Sequence, residues 1–125
     1  MIANDFENEV IIDTEEDLLT FLNKRPEYNS NHFILTFSEN GFPQLSMFVK
    51  DDYSVIYFLG EKSGETFVSC GNSEKCDTEI FYENKLGSSV TLASENIVSP
   101  ELMIEAAKQF FRTKERPLCV EWFEL

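Results

Sequence analysis

Residues 32–59 read HFILTFSENGFPQLSMFVKDDYSVIYFL, and the alternation inside this stretch decides the fold. Phe33, Leu35 and Phe37 fall on one face of a first run, residues 32–38, and Leu45, Met47 and Val49 do the same in a second, residues 44–50. Asn40-Gly41-Phe42-Pro43 between them is turn chemistry, so the two runs are expected to pair as an antiparallel hairpin. The third run, residues 53–59, is apolar or aromatic at nearly every position. A strand of that kind is covered on both faces, which places the middle of the sheet here.

Working outward, residues 66–70, 78–83 and 89–93 are further strand candidates, rich in Phe, Val, Ile, Tyr and Thr and bounded by turn residues. On the N-terminal side a short helix is expected from about Glu15. Asp13 or Thr14 can cap it, three acids favour its positive end, and Leu18, Leu19 and Leu22 form its apolar stripe. On the C-terminal side Ser99-Pro100-Glu101 is a helix start with a hydroxyl cap and proline at the first position. Met103, Ala107 and Phe110, flanked by Ile104 and Phe111, follow at helical spacing until Pro117 forces an exit. Residues 119–125 alternate again as a final strand. The expected architecture is one α+β domain over residues 1–125, a mostly antiparallel sheet of about six or seven strands with two helices packed on it.

The chain has 125 residues, 42% of them hydrophobic, including 12 Phe and 4 Tyr, enough apolar area for a packed core without metal or disulfide staples. Ten Lys and Arg stand against 23 Asp and Glu, a formal charge of -13. Such a surface repels nucleic-acid phosphates and anionic membranes and attracts a basic partner. No basic leader precedes a long apolar run, and no stretch of about 18 apolar residues occurs, so a cytoplasmic location is expected. Cys70, Cys76 and Cys119 form no CxxC pair; reduced thiols are the simplest reading, with a Cys70–Cys76 bridge as the alternative.

Catalytic patterns are absent from the sequence. His32 has no nucleophile elbow beside it, and the cysteines lack the electropositive setting that makes a thiolate. Paired carboxylates recur at Glu15-Glu16-Asp17, Asp51-Asp52 and Glu121/Glu124, but 23 acids in 125 residues produce such pairs freely, and solvated surface acids are the simpler reading. No calcium loop or phosphate-cradling glycine run is present. The expectation is therefore no catalytic residue, no metal and no cofactor. Lys108, Arg112, Lys114 and Arg116 form one basic island, which suits the negative end of a helix.

Acids interleaved with aromatics stand out at Asp51-Asp52-Tyr53, in residues 61–67, and at Glu79-Ile80-Phe81-Tyr82-Glu83. Carboxylates that steer and pair with Lys or Arg, beside aromatic anchors, suit a protein interface; amphipathic strands with solvated acids and core aromatics are the competing reading of each cluster. Asp51, Asp52, Tyr53, Glu61, Glu65, Glu79, Phe81 and Glu83 are the residues expected to form a partner-binding surface.

Several stretches then form an ordered set: Gly41-Phe42-Pro43-Gln44-Leu45, Gly71-Asn72, Phe81-Tyr82-Glu83-Asn84-Lys85-Leu86-Gly87, the run MIEAAKQFF at residues 103–111, Arg116-Pro117, and Trp122 with the three residues after it. As a set they resemble immunity protein family 1 of bacterial polymorphic toxin systems. The resemblance implies a small α+β protein without a catalytic centre that binds a cognate toxin domain. It is strongest toward members that neutralise a double-stranded-DNA cytosine deaminase. Trp122 matches the C-terminal Trp of that family and Glu124 its nearby acid, either as toxin contacts or as support for the sheet. A deaminase must receive its base beside a basic nucleic-acid channel, so an acidic plug could block it sterically. Two other classes compete: a general acidic interaction module, such as a secretion chaperone or nucleic-acid mimic, and a carboxylate-dependent hydrolase with two facing acids in a pocket.

Overall fold

A computed structural model describes residues 1–62, 64–71 and 77–125. Residues 72–76, Asn72 and Cys76 among them, lie outside the described residues, as does Ser63. In chain order the elements are β1 (Ile2–Asn4), β2 (Glu9–Ile11), α1 (Glu15–Leu22), β3 (Ser30–Thr36), β4 (Gln44–Lys50), β5 (Tyr53–Leu59) and β6 (Thr66–Ser69). β7 (Thr78–Tyr82), β8 (Ser89–Ala93), α2 (Pro100–Thr113) and β9 (Trp122–Glu124) complete them. Every strand pairing is antiparallel. Seven strands form one sheet in the order β2-β1-β3-β4-β5-β6-β9, while β7 and β8 form a separate hairpin. The α+β class and the large antiparallel sheet are as expected.

The local reasons are those the sequence offers. Thr14 accepts the Asp17 N–H at 3.1 Å and caps α1, and Ser99 accepts the Leu102 N–H at 3.1 Å and caps α2, with Pro100 at its start. At its far end α2 stops before Pro117, because Lys114 turns left-handed at φ 60 and returns its N–H to the Phe110 carbonyl. In α1 the buried stripe is Leu18, Phe21 and Leu22, so Phe21 takes the place expected of Leu19.

Three differences from expectation matter. β1 and β2 add two strands at the N-terminal side, each only three residues long. They shift the middle of the sheet to β4, with β5 beside it. And residues 78–93 do not extend the sheet but lie across it. The sheet consequently has two covered faces. Leu45, Met47 and Val49 of β4 and Ile56 and Phe58 of β5 face both helices and share one core with Leu18, Met103 and Phe110. Phe48 of β4 and Val55 of β5 point the other way, onto a second core closed by Phe81 of the hairpin. That is why β4 is buried at its five inner positions.

Asn31 pins the N-terminal strands and α1 to this frame. Its side-chain oxygen accepts the Phe6 N–H at 3.0 Å and its amide donates to the Lys24 carbonyl at 2.9 Å. Asp5 and Lys24 add a 2.9 Å ion pair at the same junction. Burial raises the Asp5 carboxyl, but the Lys24 hydrogen bond and the N–H groups of Asn8 and Glu7 outweigh it and hold the acid below its ordinary range.

Met47 has no exposure and sits on the central strand. Met47→Ala is expected to cost about 2–5 kcal/mol in urea unfolding, the range for emptying a well-packed core site; a loss under about 1 kcal/mol would contradict the central position of β4.

Candidate functional site

The sequence-expected surface residues separate into three places. Asp51 and Asp52 form the tight turn between β4 and β5, and Tyr53, 41% exposed, begins β5. Asp51 is left-handed at φ 53 and is clasped by a second turn: its N–H donates to the Asn29 carbonyl at 3.1 Å, and the Asn29 amide donates to Asp51 Oδ1 at 3.1 Å. Tyr28, next to Asn29, stacks on Tyr82 with ring centroids 4.5 Å apart, which brings the exposed Glu83 to the same end of the sheet. Asp51, Asp52, Tyr53 and Glu83 therefore belong together.

Glu61 and Glu65 lie at the opposite end, beyond the seven residues of β5, which span roughly 20 Å as extended chain. They line a cleft of about 700 Å³ whose other wall carries Lys114 and Arg116. Glu65 Oε1 accepts the Lys62 N–H at 3.0 Å, a local turn bond. These two acids face cations of their own chain and are not continuous with Asp51 and Asp52.

Phe81 and Glu79 occupy the inward phase of β7. Phe81 is fully buried, its ring 6.2 Å from that of Phe48, so it is core rather than a surface anchor. Ile80, 48% exposed, holds the outward position instead. The run Ile80-Phe81-Tyr82 is apolar in both phases, and only packing on the sheet chooses between them. Trp122 is half-buried against the helix-side core and donates its indole N–H to the Pro117 carbonyl at 2.9 Å, while Glu124 is exposed. The tether to Pro117 gives Trp122 a supporting place in the sheet.

The basic island is locally engaged. Arg112 reaches Glu15 at 2.6 Å and ties the two helices, Lys108 lies 3.7 Å from Glu105, Lys114 sits 5.0 Å over the Phe37 ring, and the Arg116 guanidinium 4.2 Å over Phe67.

Chemistry has little to work with. His32 Nε2 lies 3.0 Å from Ser46 Oγ, a hydroxyl–imidazole pair, but Ser46 is buried, the imidazole stacks on Phe48 at 4.0 Å, and neither residue lines the clefts. A second cleft, of about 520 Å³, holds Asp52, Glu121, Cys70 and Cys119. Both cysteines are free thiols, and burial, then the Glu105 charge, push Cys119 up, away from thiolate. Among the described residues no group of three His, Cys, Asp or Glu side chains could hold a metal ion, and no helix is long and apolar enough to cross a membrane.

What remains is a scaffold of helices, sheet and covering hairpin that displays acids and aromatics on its turns. Residues 7–124 match the family described as Immunity protein Imm1, and the chain belongs to that immunity protein family. Over all 125 residues, and the full length of both chains, it is 53% identical to the double-stranded DNA deaminase immunity protein of Burkholderia cenocepacia (strain H111).

Two outcomes follow from the second core. Phe81→Ala is expected to lower stability by about 3–5 kcal/mol in chemical unfolding; a variant as stable as the parent would return Phe81 to the surface. Burial lowers the His32 imidazole from its ordinary 6.5, against the opposing pull of the Glu83 carbonyl and charge, so the folded state holds it neutral. With the folded pKa depressed, the unfolded chain takes up the proton first. This contribution to stability is present above 6.5 and is lost as pH falls through the folded value. His32→Gln should flatten the pH dependence of stability just below 6.5; identical profiles for both proteins would refute the assignment.

Proposed function

We propose that this chain is an antitoxin that binds a nucleic-acid deaminase toxin domain, a DNA cytosine deaminase, and blocks its active site or substrate channel without chemistry of its own. The observation that carries this reading is the 53% identity, end to end, to a protein named for immunity to a double-stranded DNA deaminase. Charge supports it: a deaminase gathers polyanionic substrate on a basic surface, and a chain of net charge -13 is drawn to that same surface. Inhibition by occlusion needs only shape and charge, which agrees with a Ser46–His32 pair that lines none of the three clefts and a Cys119 thiol pushed away from thiolate. The place of action is the cytoplasm, where the chain meets the toxin before the toxin meets DNA.

Asp51, Asp52, Tyr53 and Glu83 make direct contact in this reading, and Glu61, Glu65 and Glu79 act at longer range by steering. Trp122 and Glu124 hold the sheet edge.

The test is a DNA cytosine deamination assay with the toxin domain encoded beside this chain. Activity is expected to fall linearly with added protein and vanish at one equivalent. Undiminished deamination at several equivalents would overturn the proposal. Weak binding to several unrelated basic proteins, lost by moderate salt, would instead favour a general acidic interaction module.

A further inference from the structure

Three of the four non-glycine residues with left-handed backbone among the described residues, Tyr28 at φ 58, Asn29 at φ 49 and Asp51 at φ 53, sit in the two interlocked turns at one end of the sheet. The fourth, Lys114, is an ordinary helix cap. For Asn and Asp this conformation is common; for a bulky residue such as Tyr28 it is not. The fold holds Tyr28 there by its stack on Tyr82 and by Gly87, itself at φ 88, where a Cβ would come within 2.9 Å of the Tyr28 hydroxyl. Tyr28 nevertheless keeps 49% of its surface exposed, and Leu86, in the same hairpin turn, keeps 84%.

Tyr53 extends the same surface. It lies across from Lys50 in the β4–β5 register, and Lys50 Nζ sits 5.9 Å from the Tyr82 ring. The exposed acids around these side chains are Glu27, Asp51, Asp52 and Glu83. Of the two lysines nearby, Lys50 is already directed at aromatic rings of its own chain, and Lys85 is exposed. Rigid tyrosines and an exposed leucine inside an acidic rim have the composition of an interface core, held in place before a partner arrives.

We infer that this end of the molecule is the docking surface for the toxin domain, with Tyr28, Tyr82, Leu86 and Tyr53 as its apolar centre and the acids pairing with Lys and Arg beside the toxin's nucleic-acid groove. The inference rests on the antitoxin reading and adds residues from two loops that the acid-and-aromatic clusters of the sequence do not contain. The occupant is a basic protein surface because the rim is acidic; a second copy of this chain, also at -13, would be repelled.

The test uses the full chain with Tyr28→Ala, Leu86→Arg and, at the opposite end, Leu118→Arg, all at exposed positions, with thermal melts to confirm folding. Binding to the toxin domain encoded beside the chain is measured by calorimetry. Tyr28→Ala and Leu86→Arg are expected to weaken binding about tenfold or more, and Leu118→Arg by less than about twofold. If the wild-type chain binds and both first variants bind equally well, the surface is elsewhere: this inference and the contact assignment of Asp51, Asp52, Tyr53 and Glu83 fall, and the antitoxin reading stands. The same holds if they alter oligomeric state instead of toxin affinity. If the wild-type chain does not bind, the antitoxin reading falls with it.

Discussion

β4 and β5 carry large apolar side chains on both faces, so a sheet built around them presents two apolar surfaces that water must be kept from. The helices cover one through Leu18, Met103 and Phe110. The other requires a second layer, and the β7–β8 hairpin supplies it by seating Phe81 on Phe48 and Val55. From that requirement follow the partly buried His32–Ser46 pair, the stack of Tyr28 on Tyr82, and the meeting of three separate turns at one end of the sheet. The surface proposed to face a partner is thus a by-product of closing the second core.

Much of this was legible in the sequence. The alternation of Phe33 and Leu35, and of Leu45, Met47 and Val49, survives intact in β3 and β4, and the Ser99 and Thr14 caps lie where their chemistry predicts. β1 and β2 were not legible because three residues hold barely one period of alternation. The hairpin was recognised as two strands but not as a separate layer, since only tertiary packing separates a sheet extension from a cover.

The candidate surface was legible in part. Asp51, Asp52 and Tyr53 were found from charge and aromatic spacing and do share one place with Glu83. Glu61 and Glu65 look equivalent in sequence, yet turns at the two ends of one seven-residue strand must point to opposite ends of the sheet. Phe81 was misplaced by one phase of β7. Tyr28 carries no signal in the sequence, because its placement depends on a left-handed turn and on the small size of Gly87 across the fold. Family membership, by contrast, was carried by an ordered set of short motifs that no single composition argument could supply.

Charge and shape then divide the work. The net charge of -13 favours encounter with a basic protein, and in the proposed complex the fixed aromatics at one end select the orientation that persists. The most direct measurement is an amide hydrogen-exchange footprint of this chain with and without the toxin domain. The account predicts slowed exchange at residues 28–30, 51–53 and 83–88 and unchanged exchange at 60–62; slowing confined to the β5–β6 turn and the end of α2 would contradict it.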